Sequence, residues 1–330
     1  VREMGFLPPP AMTAPPPSTI ETFQAIGNRE DLTDVIYNIS PTDTPGISSF
    51  ETTTAESTLH EWQTDANAAA SGTNQVEEGL DATTTAVTPT VRLTNDCEIS
   101  QKTPRVSGTQ QAVMKAGRGD ELEYQIAKMA KELKTDMEKS VFGNTAKTAG
   151  SSGTARKLGG IQTWLTSNTD EGAGTVSTGL GANARTAGAA RAVSEDMLKG
   201  VIRSIFTNGG DPDKIHVGAF NKQALSGFSG NATRMVGAED RELYASIDIY
   251  DSDFGDLQIV PNRFSDPSTT LGAAFVLQSD MWAIAYLDQF KLIPLAKTGD
   301  SDRKQLTVEF TLEARNQKAS DDGILRQIED

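Results

Sequence analysis

Four aspartates, Asp248, Asp251, Asp253 and Asp256, fall close together in the sequence, and hard cations such as calcium take oxygen ligands from sets of this kind. The calcium-loop order fails here, because its fifth position is Gly255 and no glutamate closes the loop. Aspartate is also a good turn former, and that is the simpler account. Gly179-Leu180-Gly181-Ala182-Asn183-Ala184 spells G-x-G-x-x-A. A dinucleotide loop needs a buried strand before those glycines and a helix after them, so that the pyrophosphate meets a helix N-terminus. The flanks GAGTVST and ARTAGAA supply neither. The run 150–157 (GSSGTARK) lacks the spacing of a phosphate-binding loop. His60 and His216 are too few and too isolated for zinc. His216 lies inside an apolar strand pattern and reads as structural. No G-x-S-x-G context supports a serine nucleophile, and 45 acidic residues make carboxylate pairs uninformative. The residues therefore assign no catalytic group, no cofactor and no metal.

The strongest signal is electrostatic. The first 101 residues contain no lysine, three arginines (Arg2, Arg29 and Arg92) and fifteen acidic residues, for a formal charge of −12 out of a total of −15. That third is rich in Pro, Thr, Ala and Gly. It cannot bury enough apolar surface to offset its ordering entropy unless it lies on something else. The stretch from Lys102 to Arg118 (Lys102, Arg105, Lys115, Arg118) is basic and holds no acid. An acidic segment followed by a basic strip suggests docking between copies of the chain.

Composition narrows the class further. A chain of 330 residues has ample length for a core. Its pI near 4.7 argues against gripping a phosphate backbone, since that affinity comes from Lys and Arg. The single cysteine, Cys97, excludes an intrachain disulfide. No apolar run is long enough for a membrane helix, so a soluble protein made in a cytoplasm is expected.

The elements that must carry these residues follow from periodicity. Two proline triplets, at 8–10 and 15–17, favour an extended opening. Residues 31–50 have a short helical pattern ended by prolines. Residues 57–64 and 88–106 read as two strands joined by a polar run over 65–87, a hairpin that projects from the body. Trp62, between Glu61 and Gln63 on a segment with no core of its own, reads as a residue buried by a partner. Residues 120–142 read as a long amphipathic helix with a capping box at Asp120 and Glu123 and apolar residues from Leu122 to Val141 on one face. Later segments predict a helix at 194–206, a strand at 214–217, a helix at 220–228, and a hairpin around 251–255. Strands follow at 272–278, 281–287 and 305–315, the last with one buried face. The body is α+β.

In this order the segments resemble the major capsid proteins of tailed bacteriophages, which share the Hong Kong 97 phage fold. The likeness is carried by DLTDVIYNISPTDTPGISSF (31–50), HEWQTDAN (60–67), VSGTQQAVMKAGRGDELEYQIAKMAKELKTDME (106–138), RKLGGIQTWL (156–165), KIHVGAFNKQALSGF (214–228) and YDSDFGDLQIVPN (250–262), about half the chain.

The resemblance implies an N-terminal arm over 1–50, an extended loop over 51–105, a spine helix at 120–142 within a peripheral domain (106–194 and 291–330), and an axial domain over 195–290. It implies self-assembly into hexamers and pentamers of an icosahedral shell. DNA would be enclosed without specific binding. A portal, a scaffold or maturation protease, and a decoration protein are the further partners implied, with no membrane.

Intersubunit contacts would fall on Trp62, Glu61, Glu77, Glu78 and Asp81 of the loop. The opposing side would be Lys102, Arg105, Lys115 and Arg118 with Lys128, Lys131 and Lys134 of the spine helix. The fold's type member cross-links a loop lysine to a neighbour's asparagine. Here the first lysine is Lys102, beyond the projecting loop, so noncovalent contacts or a cementing protein are expected instead. The rival readings are an encapsulin-like bacterial compartment, and a hydrolase or binding module with its site in the 143–193 loops.

Overall fold

The computed structural model describes residues 43–115, 119–170, 174, 177–186, 193–228, 248–264 and 273–316. The elements below belong to the unit formed by residues 39–113 and 120–330. A short helix α1 (Pro45–Ser49) opens on a proline whose fixed φ suits the first helical position, and leads into β1 (Glu51–Thr54). The hairpin follows as β2 (Leu59–Thr64) and β3 (Val91–Asp96), antiparallel from the Leu59 and Asp96 pair to the Thr64 and Val91 pair.

The single strand expected over 88–106 is in fact three: β3, β4 (Glu98–Lys102) and β5 (Arg105–Ser107). The first break is at Cys97, whose N–H turns to the Thr58 carbonyl at 2.8 Å. The second is at Thr103-Pro104, where proline has no N–H to give a ladder. After α2 (Gly108–Ala112), the spine helix α3 runs from Glu121 to Val141. As the capping signal required, Asp120 accepts from the Glu123 N–H at 2.9 Å. Leu122, Leu133, Met137 and Val141 are buried along one face.

The chain then passes through α4 (Ile161–Trp164), α5 (Glu195–Thr207), β6 (Lys214–Val217), α6 (Ala219–Ser226), β7 (Ile249–Ser252), β8 (Gly255–Pro261), β9 (Ala274–Leu277), β10 (Trp282–Pro294) and β11 (Ser301–Ala314). Two sheets result. The larger has the order β1-β10-β11-β4, with β5 on the outer end of β11 and β1 parallel to β10. The smaller has the order β7-β8-β6-β9.

Each sheet has its own core. Leu133, Met137, Val141 and Phe142 of the spine segment meet Trp164, Trp282, Val308, Phe310 and Leu312 in the first. Leu198, Ile202 and Ile205 of α5 meet Ile215, Val217, Tyr250 and Leu257 in the second. Strand β9 and the residue before it form the wall between them. Ala273, Phe275 and Leu277 belong to the first core, whereas Ala274 and Val276 belong to the second, as the two-residue period of a strand dictates.

One expectation is corrected here. Strand β10, which pairs with β11 from Trp282 onward, runs across position 290/291. Strand β11 is buried on more than one face. Leu306, Val308, Phe310 and Leu312 are buried as the alternation required, but so are Thr311 and Glu313. The hairpin covers that second face, with Thr311 Oγ1 donating to the Asp96 carbonyl at 2.9 Å.

Candidate assembly interface

The hairpin combines a fixed base with an exposed tip. Asn95 is fully buried and uses both ends of its amide. Its Nδ2 donates to the carbonyls of Leu312 (2.8 Å) and Gly159 (3.2 Å), and its Oδ1 accepts from the Gly159 N–H at 2.8 Å. Lys147 Nζ donates to Thr94 O at 2.7 Å and Thr94 Oγ1 at 3.0 Å, and burial holds its ammonium below the ordinary lysine value. His60 Nε2 lies 3.2 Å from Glu313 Oε2, while Arg315 Nε donates to Oε1 at 3.1 Å. The His60 hydrogen bond, aided by Arg315, holds the Glu313 carboxyl below its usual range against the opposing effect of burial.

Trp62 belongs to this base. Its indole N–H donates to the Ala314 carbonyl at 2.9 Å, and its ring lies 5.4 Å from that of Trp164. The reading of Trp62 as a partner's anchor on a coreless segment is therefore corrected. The hairpin base shares the first core, and Trp62 is packed by its own chain.

Beyond Thr64 the strand pairing ends. Residues 65–90 form no ladder, and nearly all of them are exposed. They carry Asp65, Glu77, Glu78 and Asp81 with no lysine or arginine, and they present Val76, Leu80 and Val87 at 75%, 59% and 91% exposure. These exposed apolar residues, spaced among carboxylates, mark the segment as a candidate contact surface. Glu61, by contrast, faces Arg92 across its own hairpin at 3.5 Å, an exposed pair that adds little.

The basic side is altered by its in-chain partners. Lys102 is held by Asp136 at 2.8 Å and Glu132 at 3.3 Å of α3. Burial works against its ammonium, but hydrogen bonds to Asp136 and Glu132 outweigh that and raise its pKa. Lys102 thus ties β4 to the spine helix, which corrects its reading as an open landing point. Asp136 and Glu132 are the two acids it captures. Arg105 Nε donates to Ser301 Oγ at 3.0 Å. Lys128 reaches Glu132 at 3.9 Å, Lys115 is half-buried, and Arg118 lies outside the described residues. Lys131 and Lys134 remain as an exposed row on α3, with Lys134 Nζ 5.9 Å from the centre of the Phe290 ring.

Sequence reasoning missed the junction at the far end of the spine helix. Glu138 is fully buried. Its Oε1 accepts from Gly46 N–H at 2.7 Å and Asn262 Nδ2 at 2.6 Å, and its Oε2 accepts from Ile47 N–H at 2.8 Å. One carboxylate thus caps α1 and joins it to the strand end of the smaller sheet. Burial raises the Glu138 pKa, and the three hydrogen bonds oppose that rise. Gly46 is required there, since a Cβ would lie 2.1 Å from the Phe142 ring. Glu138 sits beside Met137 at the edge of the apolar stripe, and its spacing resembles that of any surface acid.

The other chemical candidates resolve into structure. Asp251 and Asp256 face each other across the hairpin of β7 and β8, and Asp248 pairs with Lys222 at 3.0 Å. Gly179, Leu180 and Gly181 form a left-handed turn with φ of 82°, 62° and 68°. That turn is pinned by Lys147 N–H to Gly181 O at 2.8 Å, and a run held this way has no strand-to-helix geometry for a phosphate.

Known proteins share this architecture. The major capsid protein of Escherichia phage Phieco32 is 27% identical over 346 residues, spanning 94% of this chain and 97% of that one. A solved chain from the cyanophage A-1(L) capsid asymmetric unit superposes with a TM-score of 0.64 at 12% identity, covering 93% of this chain and 98% of that one. A chain from Gordonia phage Cozz superposes at 0.60 and 10% identity, covering 99% of each. The SU10 major capsid protein family matches residues 19–321. With a match across that span, and with a spine helix, two-lobed α+β body and projecting loop of the Hong Kong 97 phage capsid fold, the chain belongs to the SU10 major capsid protein family and its role is that of a structural shell subunit.

Proposed function

We propose that this subunit forms hexamers and pentamers of an icosahedral shell around phage DNA, assembling in the host cytoplasm with its loop laid across the adjacent subunit. The observation that carries this reading is the contrast within the hairpin. Its base is fixed by Asn95, Trp62 and Lys147, and its tip offers carboxylates and apolar side chains that the described residues leave exposed. A receiving surface is available on the same molecule, and therefore on every neighbour. β1 pairs with β10 only as far as Tyr286. Past that point the strand presents Phe290, Leu292 and Ile293 at 36–45% exposure beside Lys134. Many such contacts, each weak, become strong when a closed shell engages them together. The arm (1–50) and an axial domain over 195–290 complete the assignment. A portal, scaffold, maturation protease or decoration protein would supply what the subunit's own contacts do not. The net charge of −15 suits enclosure of DNA without adhesion to it.

The test is sedimentation with negative-stain electron microscopy of the purified chain at low and high salt. Rings of five and six or closed shells are expected, and a small oligomer at every salt concentration would oppose the reading. The triple substitution Glu77→Lys, Glu78→Lys and Asp81→Lys is expected to weaken association at least tenfold at low salt. Raising salt should shrink the difference between variant and wild type, because exposed charges are screened within about 8 Å at physiological ionic strength. Equal association of variant and wild type would remove electrostatics from the account.

A further inference from the structure

We propose that helix α1 is an acid-releasable strap: protonation of His216 lifts Thr44–Phe50 off the body, withdrawing Ile47 and Phe50 from the first core while the rest of both cores stays folded. Hydrogen bonds and ring contacts, with Ile47 packed against the first core, hold the strap. Glu138 accepts from the N–H groups of Gly46 and Ile47. Phe50 packs against Phe142 at 6.0 Å and Trp282 at 6.4 Å between ring centres. Ser49 Oγ lies 3.5 Å from His216 Nε2, and the Phe50 ring lies 6.2 Å from the imidazole. The strap is thus one wall of the pocket that keeps His216 fully buried.

The other walls offer an imidazolium no hydrogen-bond acceptor among the described residues. Phe142 from the spine helix lies 5.4 Å from the imidazole ring, and Phe275 is the cross-strand neighbour on β9. Val260 is the neighbour on β8. Nδ1 has no hydrogen-bond partner among the described residues. The charged groups acting on the ring are Lys214, on its own strand, and Asp213 before it, which oppose each other. Burial, with Lys214 adding to it, pushes the His216 pKa down to about 4 from 6.5. Removing the strap would open the ring to water and restore an ordinary value. The lifted state therefore binds more protons between about pH 6.5 and pH 4, and it gains population as pH falls through that window.

Glu138, one turn before Phe142 on the spine helix, has the opposite sign but a smaller effect. On lifting it would lose its burial, which raises its pKa, together with two hydrogen bonds from α1, which lower it. The two changes oppose each other, with burial the larger. The much larger depression of His216 sets the direction of the response.

Hydrogen exchange read by mass spectrometry on the full chain tests this, with rates corrected for the intrinsic pH dependence of amide exchange. Protection of the peptide spanning residues 44–54 is expected to fall more than tenfold between pH 6.5 and 4.5 while peptides of α5 and β8 keep theirs. His216→Gln is expected to flatten that pH dependence. Glu138→Gln should lower protection of the strap at every pH without removing the dependence. The proposal is overturned if strap protection in the wild type holds to pH 4.5, or if it is lost only together with that of α5 and β8. Should His216→Gln not fold, the wild-type profile decides alone.

Discussion

Replacing Glu138 with alanine is expected to lower the stability of the folded chain by about 3–5 kcal/mol, because the buried carboxylate accepts three hydrogen bonds and each buried donor that loses its acceptor costs roughly 1–3 kcal/mol. The carboxylate is fully buried and accepts from Gly46, Ile47 and Asn262 at 2.6–2.8 Å. Without it, two amide N–H groups and an amide side chain lose their acceptor in a site shut off by Phe142. Lys131→Ala, on the exposed face of the same helix, is the matched control and should stay within about 0.5 kcal/mol. Chemical denaturation of both variants measures the difference. A loss under about 1 kcal/mol for Glu138→Ala would mean that water replaces the carboxylate and that the junction is less dry than its geometry implies.

Replacing residues 65–90 by an Asn-Gly turn that joins β2 to β3 is expected to abolish closed-shell formation while leaving the fold intact. The ladder of the hairpin ends at Thr64 and Val91, and nearly every deleted residue is exposed, so the cores keep their packing. Shortening a loop from about 26 residues to two lowers its closure entropy by roughly 2 kcal/mol, which favours the fold. The base interactions of Trp62, Asn95 and Lys147 all lie outside the deletion. Assembly would respond differently, because a tie removed from one subunit is missing from every subunit around the shell. Circular dichroism should report a native body, and sedimentation should show no particle larger than a ring. Shells of normal size from the deletion variant would show that the loop is not an intersubunit tie.

How much of this was legible in the sequence depended on the range of the interaction. The spine helix was readable because its cap, apolar stripe and stop all lie within its own residues, from Asp120 to Gly143. The hairpin was readable because the strands on either side of the polar run alternate. Its seat on β11 was not. Trp62 gives no sign that Ala314, 252 positions away, will accept its indole N–H. Lys102 looked like open positive charge because its partners Glu132 and Asp136 come from the spine helix. Glu138 was invisible for the same reason, since its donors lie more than 90 residues before it or more than 120 after it. The break at Pro104 could have been read from proline's missing donor. The start of β10 in the larger sheet could have been suspected from the dense apolar run at Trp282–Tyr286.

The central claim is that the chain is a shell subunit whose loop ties it to a neighbour. A cryo-electron microscopy reconstruction of particles assembled from the wild-type chain tests it most directly. The account predicts rings of five and six subunits, with density for residues 65–90 crossing onto the adjacent subunit beside Lys131, Lys134 and the outer half of β10. A loop folded back on its own body, with neighbours joined elsewhere, would contradict it.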